Sequence, residues 1–142
     1  MKSPMKTNKR IGLLLFSLLC QMWLPNGLMA QDDGSEVLRK IESGLASNDL
    51  RAVLQFASDP IFVRTPEDNA SYSPVQARYV LESFFRSQPA RGFRFNDLSP
   101  GKNAAFATGD FRSRNGQPLR IYVRLRKNGS TWELKEVRIT AS

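Results

Sequence analysis

Few side chains in this chain could do acid–base or nucleophilic work. Its 142 residues include no histidine, and the single cysteine is Cys20. Beyond residue 30 there is no imidazole base, no thiolate nucleophile and no soft metal ligand, so neither a metal nor a cofactor is expected. General acid–base catalysis would fall to a carboxylate, and three sit inside apparent elements: Glu82, Asp97 and Asp110. Asp110 alternates with Phe111 and so belongs on the face away from it. Glu82 follows Leu81, but neighbours in a helix do not share a face. Asp97 shares strand parity with Phe93 and Phe95 and is the one carboxylate expected to point inward. It is a weak catalytic candidate, because an edge or turn position explains it more simply and a base needs a shifted pKa.

The aromatic side chains offer a second chemistry, apolar binding. Phe62, Tyr72, Phe84, Phe85, Phe93, Phe95, Phe111 and Trp132 are expected to wall one interior, as packed core or as a pocket for a small apolar ligand. Phe106 has the opposite parity and should lie outside. A third feature is the stripe Arg120, Tyr122, Arg124 and Arg126. Its simplest reading is a solvated face with Glu133 as a partner across from Arg124. Its functional reading is an interface, Arg120, Tyr122 and Arg124, through which two copies meet. The stripe is too short to argue for nucleic acid.

These side chains need elements to position them. The first thirty residues look like none of them. Lys2, Lys6, Lys9 and Arg10 precede an apolar run, Ile11 to Leu19, and Met29-Ala30 then meets Gln31-Asp32-Asp33. That layout predicts a signal peptide over 1–30, cleaved near Ala30, with the product periplasmic or secreted. The run is too short for a membrane span of ~20 residues, so no stable membrane anchor is expected after cleavage. Losing the four basic residues of the leader lowers the net charge from +8 to +4. So modest an excess does not call for nucleic acid either.

Residues 31–142 read as a single domain. Ser35 is expected to cap a helix carrying Val37, Leu38, Ile41 and Leu45. Ser47-Asn48-Asp49 should end it and cap a second, from Leu50 to Ala57, stopped at Asp59-Pro60. Ile61-Phe62-Val63 reads as a short strand and Thr65 to Ala70 as a loop. Ser73-Pro74-Val75-Gln76 is a capping-box start for a third helix, closed by Gln88-Pro89. Four strands follow. The first runs over Gly92–Leu98 and the second over Ala104–Phe111. A loop Arg114-Asn115-Gly116 should set Phe111 opposite Leu119 and Ala107 opposite Val123. The last hairpin, Leu119 to Ile139, turns at Asn128-Gly129. That turn would pair Leu125 with Trp132, Val123 with Leu134 and Arg124 with Glu133. A bulge near Lys135 or Glu136 is needed to keep Val137 and Ile139 on the face of Trp132 and Leu134. Helices first and antiparallel strands after predict an α+β class, with helices on one face of a curved sheet.

Several details in that order resemble a bacterial family, domain of unknown function 4783, within the nuclear-transport-factor-two-like (cystatin-like) superfamily. They are Tyr72-Ser73, Gln76-Ala77, Phe84-Phe85, Phe93, Gly109 and the Arg120-Ile121-Tyr122 run after Asn115-Gly116. The resemblance spans Glu36 to Thr140 and implies a cone-shaped fold with helices packed on a curved antiparallel sheet. It implies export rather than a chemistry. Asn96 stands where the resemblance leads one to expect a histidine. Relatives in the superfamily include lyases and isomerases with a base inside the cone. Three functions therefore compete: an exported non-catalytic binding or interaction module, a small-molecule lyase or isomerase, and a structural homodimer. The first fits best, given the sparse catalytic inventory.

Overall fold

Helix α1, Ser35–Ala46, starts where the chain leaves a left-handed Gly34. Ser35 is the first helical residue rather than the cap. The Asp33 carboxylate accepts its N–H at 3.0 Å instead. A side chain at Gly34 is barred twice, by φ of 83° and by Ala105 Cβ 2.9 Å from where a Cβ would sit. Helix α2, Leu50–Leu54, is capped by Asp49, which accepts from Ala52 N–H at 3.1 Å. It ends three residues earlier than the spacing predicts. Strand β1, Ala57–Arg64, takes the next stretch and carries Asp59-Pro60 within it. The computed structural model that shows this describes residues 32–142. The expected signal peptide, residues 1–30, lies outside the described residues.

Thr65 Oγ1 accepts the N–H groups of Glu67 and Asp68 at 3.3 and 3.2 Å, which tightens a turn into β2, Asn69–Tyr72. The predicted loop Thr65 to Ala70 is therefore shorter, and its end is strand. Helix α3, Pro74–Ser87, begins on the predicted capping box of Ser73 and Gln76. Its Ala77, Leu81 and Phe85 are buried at i, i+4, i+8.

The remaining strands are β3, Asp97–Ser99, β4, Ala104–Arg112, β5, Pro118–Asn128, and β6, Thr131–Ala141. They complete a six-stranded sheet of order β2-β1-β6-β5-β4-β3. Every neighbouring pair is antiparallel except β1 with β6. The strand predicted over Gly92–Leu98 shrinks to β3 because its backbone is committed elsewhere. Phe93 N–H goes to Ala90 O, and Phe95 N–H goes to the Glu42 carboxylate of α1 at 2.7 Å. This segment crosses β4 at Gly109, where a Cβ would stand 2.4 Å from Arg94 O and 2.5 Å from the Phe93 ring. Glycine is what lets the two backbones touch.

Phe111 lies opposite Leu119 and Ala107 opposite Val123, as the Arg114-Asn115-Gly116 loop predicts. The β5–β6 turn differs. Asn128 pairs with Thr131, so the central residues are Gly129 and Ser130. Only Gly129 has positive φ, 62°, the pattern of a glycine-first turn. Leu125 then faces Leu134, and Arg126 rather than Arg124 faces Glu133. The slip leaves strand parity unchanged, so the buried face survives it. The bulge falls where expected: the register shifts opposite Arg124/Leu125, with Lys135 as the extra residue. Beyond it Arg124 faces Glu136 and Val123 faces Val137.

Residues Asp32–Ser142 form one compact unit with its own core. Leu38 and Ile41 of α1 and Leu81 and Phe85 of α3 lie in one cluster with Ile61, Ile121, Leu125, Leu134 and Ile139 from the sheet. Among the described residues, the other face of the sheet carries no helix.

Candidate functional site

The expected aromatic residues divide between four places. Phe84, Phe85, Phe111, Phe93 and Phe95 form a chain of rings inside the cone. Successive centroids lie 5.2, 6.2, 6.4 and 5.2 Å apart, mostly edge to face. Phe85 and Phe93 are 2% and 3% exposed, so this part of the interior is filled by side chains. Trp132 is buried at the opposite end, beside Gly34. Its indole N–H donates to Asp32 at 2.7 Å, and Lys127 Nζ pairs with Asp32 at 3.4 Å. These contacts, the indole bond first, hold the Asp32 carboxyl below its ordinary pKa. Tyr72 packs on the core edge and its hydroxyl donates to Asp68, which pushes its phenol pKa up.

Phe62 is a correction. Ile61 and Val63 are buried, and strand alternation turns Phe62 to the helix-free face, across from Glu136. It cannot wall the interior. Phe106 lies on that same outer face, as its parity predicts, stacked on Tyr122. Asp97 is a second correction. The strand begins at Asp97, and its register with Thr108 sets it on the outer face, exposed. Thr108 Oγ1 lies 3.5 Å from its carboxylate. No carboxylate base in the cone is supplied by this residue. Asn96 joins the crossing segment to β4: its N–H donates to Thr108 O at 2.8 Å and its Oδ1 accepts from Asp110 N–H at 3.0 Å. Glu82 pairs along the helix with Arg78, and Asp110 with Arg120 at 2.8 Å. The Arg120 guanidinium holds the Asp110 carboxyl below its usual range.

The open space lies beside the ring chain. A cleft of about 530 Å³ runs between α3, the β1–β2 turn and the start of β5. Two adjacent helical rows of α3 and its C-cap form one wall, Tyr79, Ser83 and Ser87 in one row and Val80, Phe84 and Gln88 in the other. Thr65 to Asp68 form the second wall, and Gln117 and Leu119 close it. Its volume is that of a small-molecule site. Val80, Phe84 and Leu119 make an apolar floor, and hydroxyls, amides and the carboxylates of Glu67 and Asp68 make the rim. Of the aromatic set, only Phe84 reaches it. Sequence reasoning missed Tyr79, Ser83 and Gln117. The signal was present in part, since Tyr79 and Ser83 stand one turn apart beside Val80 and Phe84.

A more open depression of about 550 Å³ surrounds Trp132, with Asp32, Glu36, Phe56 and Thr131 on its walls. Among the described residues no cluster of side chains could hold a metal ion. No described helix is long and apolar enough to cross a membrane.

The family model described as Domain of unknown function (DUF4783) matches residues 38–140. The chain belongs to the DUF4783 family. Crystal structures of DUF4783 proteins share the fold of this DUF4783 domain. One from Bacteroides ovatus is 16% identical with a TM-score of 0.66, over 72% of this chain and 93% of that one. One from Bacteroides fragilis is 19% identical with a TM-score of 0.64, over 72% and 96%. A protein of unknown function with a cystatin-like fold from Nostoc punctiforme is 13% identical with a TM-score of 0.58, over 82% and 93%. No curated protein matches the chain. The α+β cone with helices on a curved sheet is thus the fold of this domain.

Proposed function

We propose that this DUF4783 domain is an exported, non-catalytic binding module that holds a small amphipathic ligand in the α3 cleft. The cleft itself carries the reading: an apolar floor ringed by hydroxyl, amide and carboxylate groups, beside a core already filled by aromatic rings. Such a surface buries an apolar body and orients it through a few polar contacts. A lyase or isomerase would need a base inside the cone, and Asp97 stands outside it.

A panel of small aryl alcohols and amides, titrated into residues 31–142 and followed by amide NMR, tests the site. Shifts should concentrate at Val80, Ser83, Phe84, Gln117 and Leu119, and Phe84→Ala should weaken binding about tenfold, the worth of roughly half a buried ring. Shifts confined to the Trp132 depression would overturn the reading.

Export rests on the basic start, the apolar run and Ala30. Mass spectrometry of protein recovered from outside the cytoplasm should show a first residue at or near Gln31. Recovery there with Met1 to Leu24 attached would reject it.

A further inference from the structure

Most carboxylates of this domain already have a partner. Glu136, buried on β6, takes Arg124 at 3.1 Å on one oxygen and Arg138 on the other. Asp32, Glu36, Glu82, Asp110 and Glu133 each have a cation beside them too. Others accept hydrogen bonds, as Glu42 does from Phe95 N–H. Among the described residues, only Asp59 and Glu67 have neither an ion pair nor a hydrogen bond on the carboxylate. Glu67 is the one that lines the α3 cleft.

The cleft carries one sign of charge. Its charged lining residues are Glu67 and Asp68, and among the described residues no lysine or arginine lines it, although residues 31–142 carry a net charge of +4. Asp68 is engaged within its own turn, by the Tyr72 hydroxyl and by Asn69 N–H at 2.8 Å. Ser87 donates its proton to Phe84 O at 2.9 Å, and the Gln88 side-chain carbonyl accepts Arg114 N–H at 3.1 Å. The Glu67 carboxylate is left as an acceptor with nothing bound to it. Its backbone is fixed before any ligand arrives, because Thr65 Oγ1 accepts Glu67 N–H at 3.3 Å and Thr65 N–H donates to Asp68 O at 2.8 Å. We propose that the α3 cleft takes a cationic amphiphile, an assignment that rests on the cleft reading above and adds a sign of charge to it. An aryl or alkyl body lies on Val80, Phe84 and Leu119, and an ammonium at its end meets the Glu67 carboxylate. An ammonium offers three donors and no acceptor, which matches an unpartnered carboxylate. A carboxylic acid of the same shape would instead face two like charges with no cation on the walls to relieve them. An alcohol would keep the apolar floor and leave Glu67 to water.

Phenethylamine, phenethyl alcohol and phenylpropionate share a ring and a linker and differ only at the end group. Each is titrated into residues 31–142 near neutral pH and low salt and followed by amide NMR. The amine should bind about fivefold tighter than the alcohol, the upper end of what one exposed charge pair supplies, and the acid should bind more weakly than either. Shifts at Val80, Ser83 and Phe84 should be common to amine and alcohol, and a shift at Glu67 peculiar to the amine. Glu67→Gln keeps the backbone hydrogen bonds of the turn and should erase the amine's lead. About 0.5 M salt should shrink that lead as well, since an exposed pair is screened. An alcohol that binds at the cleft as tightly as the amine, or an acid that binds there more tightly, overturns the proposal and leaves the cleft reading standing. An amine lead that survives Glu67→Gln overturns it equally. Three probes that all leave the cleft residues unshifted overturn the cleft reading and the charge assignment together.

Discussion

Phe85→Ala is expected to destabilise the domain by about 3–5 kcal/mol, and Phe84→Ala by only about 1–2 kcal/mol. The two rings are neighbours in sequence and touch edge to face. Their surroundings differ. Phe85 is 2% exposed and packs on Phe111, so its removal opens a cavity the cone cannot collapse around. Phe84 is half-buried on the cleft wall, where water already has access. Part of its ring has no transfer energy to lose. Urea denaturation of residues 31–142, with unchanged slope, measures both. Equal losses would mean that the interior is closed over Phe84, and the cleft would not be a binding surface.

Removing both arginines from Glu136 has a comparable expected cost. Arg124→Ala with Arg138→Ala should destabilise by about 3–5 kcal/mol, because a buried carboxylate is left without a counter-charge. Each single change should cost far less, since one guanidinium remains in contact. Adding Glu136→Gln to the double variant should recover most of the loss, because the residue left behind is neutral. A triple variant as unstable as the double would show that the arginines act by packing over the strand rather than by charge.

Local chemistry determined much of this. The alternation from Leu119 to Leu125 assigned both faces of β5, because a strand's side-chain period is two whatever it pairs with. Ser73-Pro74 and Gln76 placed the start of α3 to the residue, since a capping box is satisfied within four residues. The bulge at Lys135 was legible because Trp132 and Ile139 cannot share a face without an extra residue between them. Tertiary contacts decided the rest. Phe62 went outward because Ile61 and Val63 meet the core beside β6, a partner more than seventy residues away. The Phe93–Phe95 segment left the sheet because Glu42 of α1 took the Phe95 N–H and Gly109 let the backbone cross β4. Asp97 then fell on the outer face by register alone. The cleft is a gap between three separate segments, and a gap has no residues of its own for a sequence pattern to mark. A period along one strand can be read locally, whereas what lies across from it depends on the whole chain having folded.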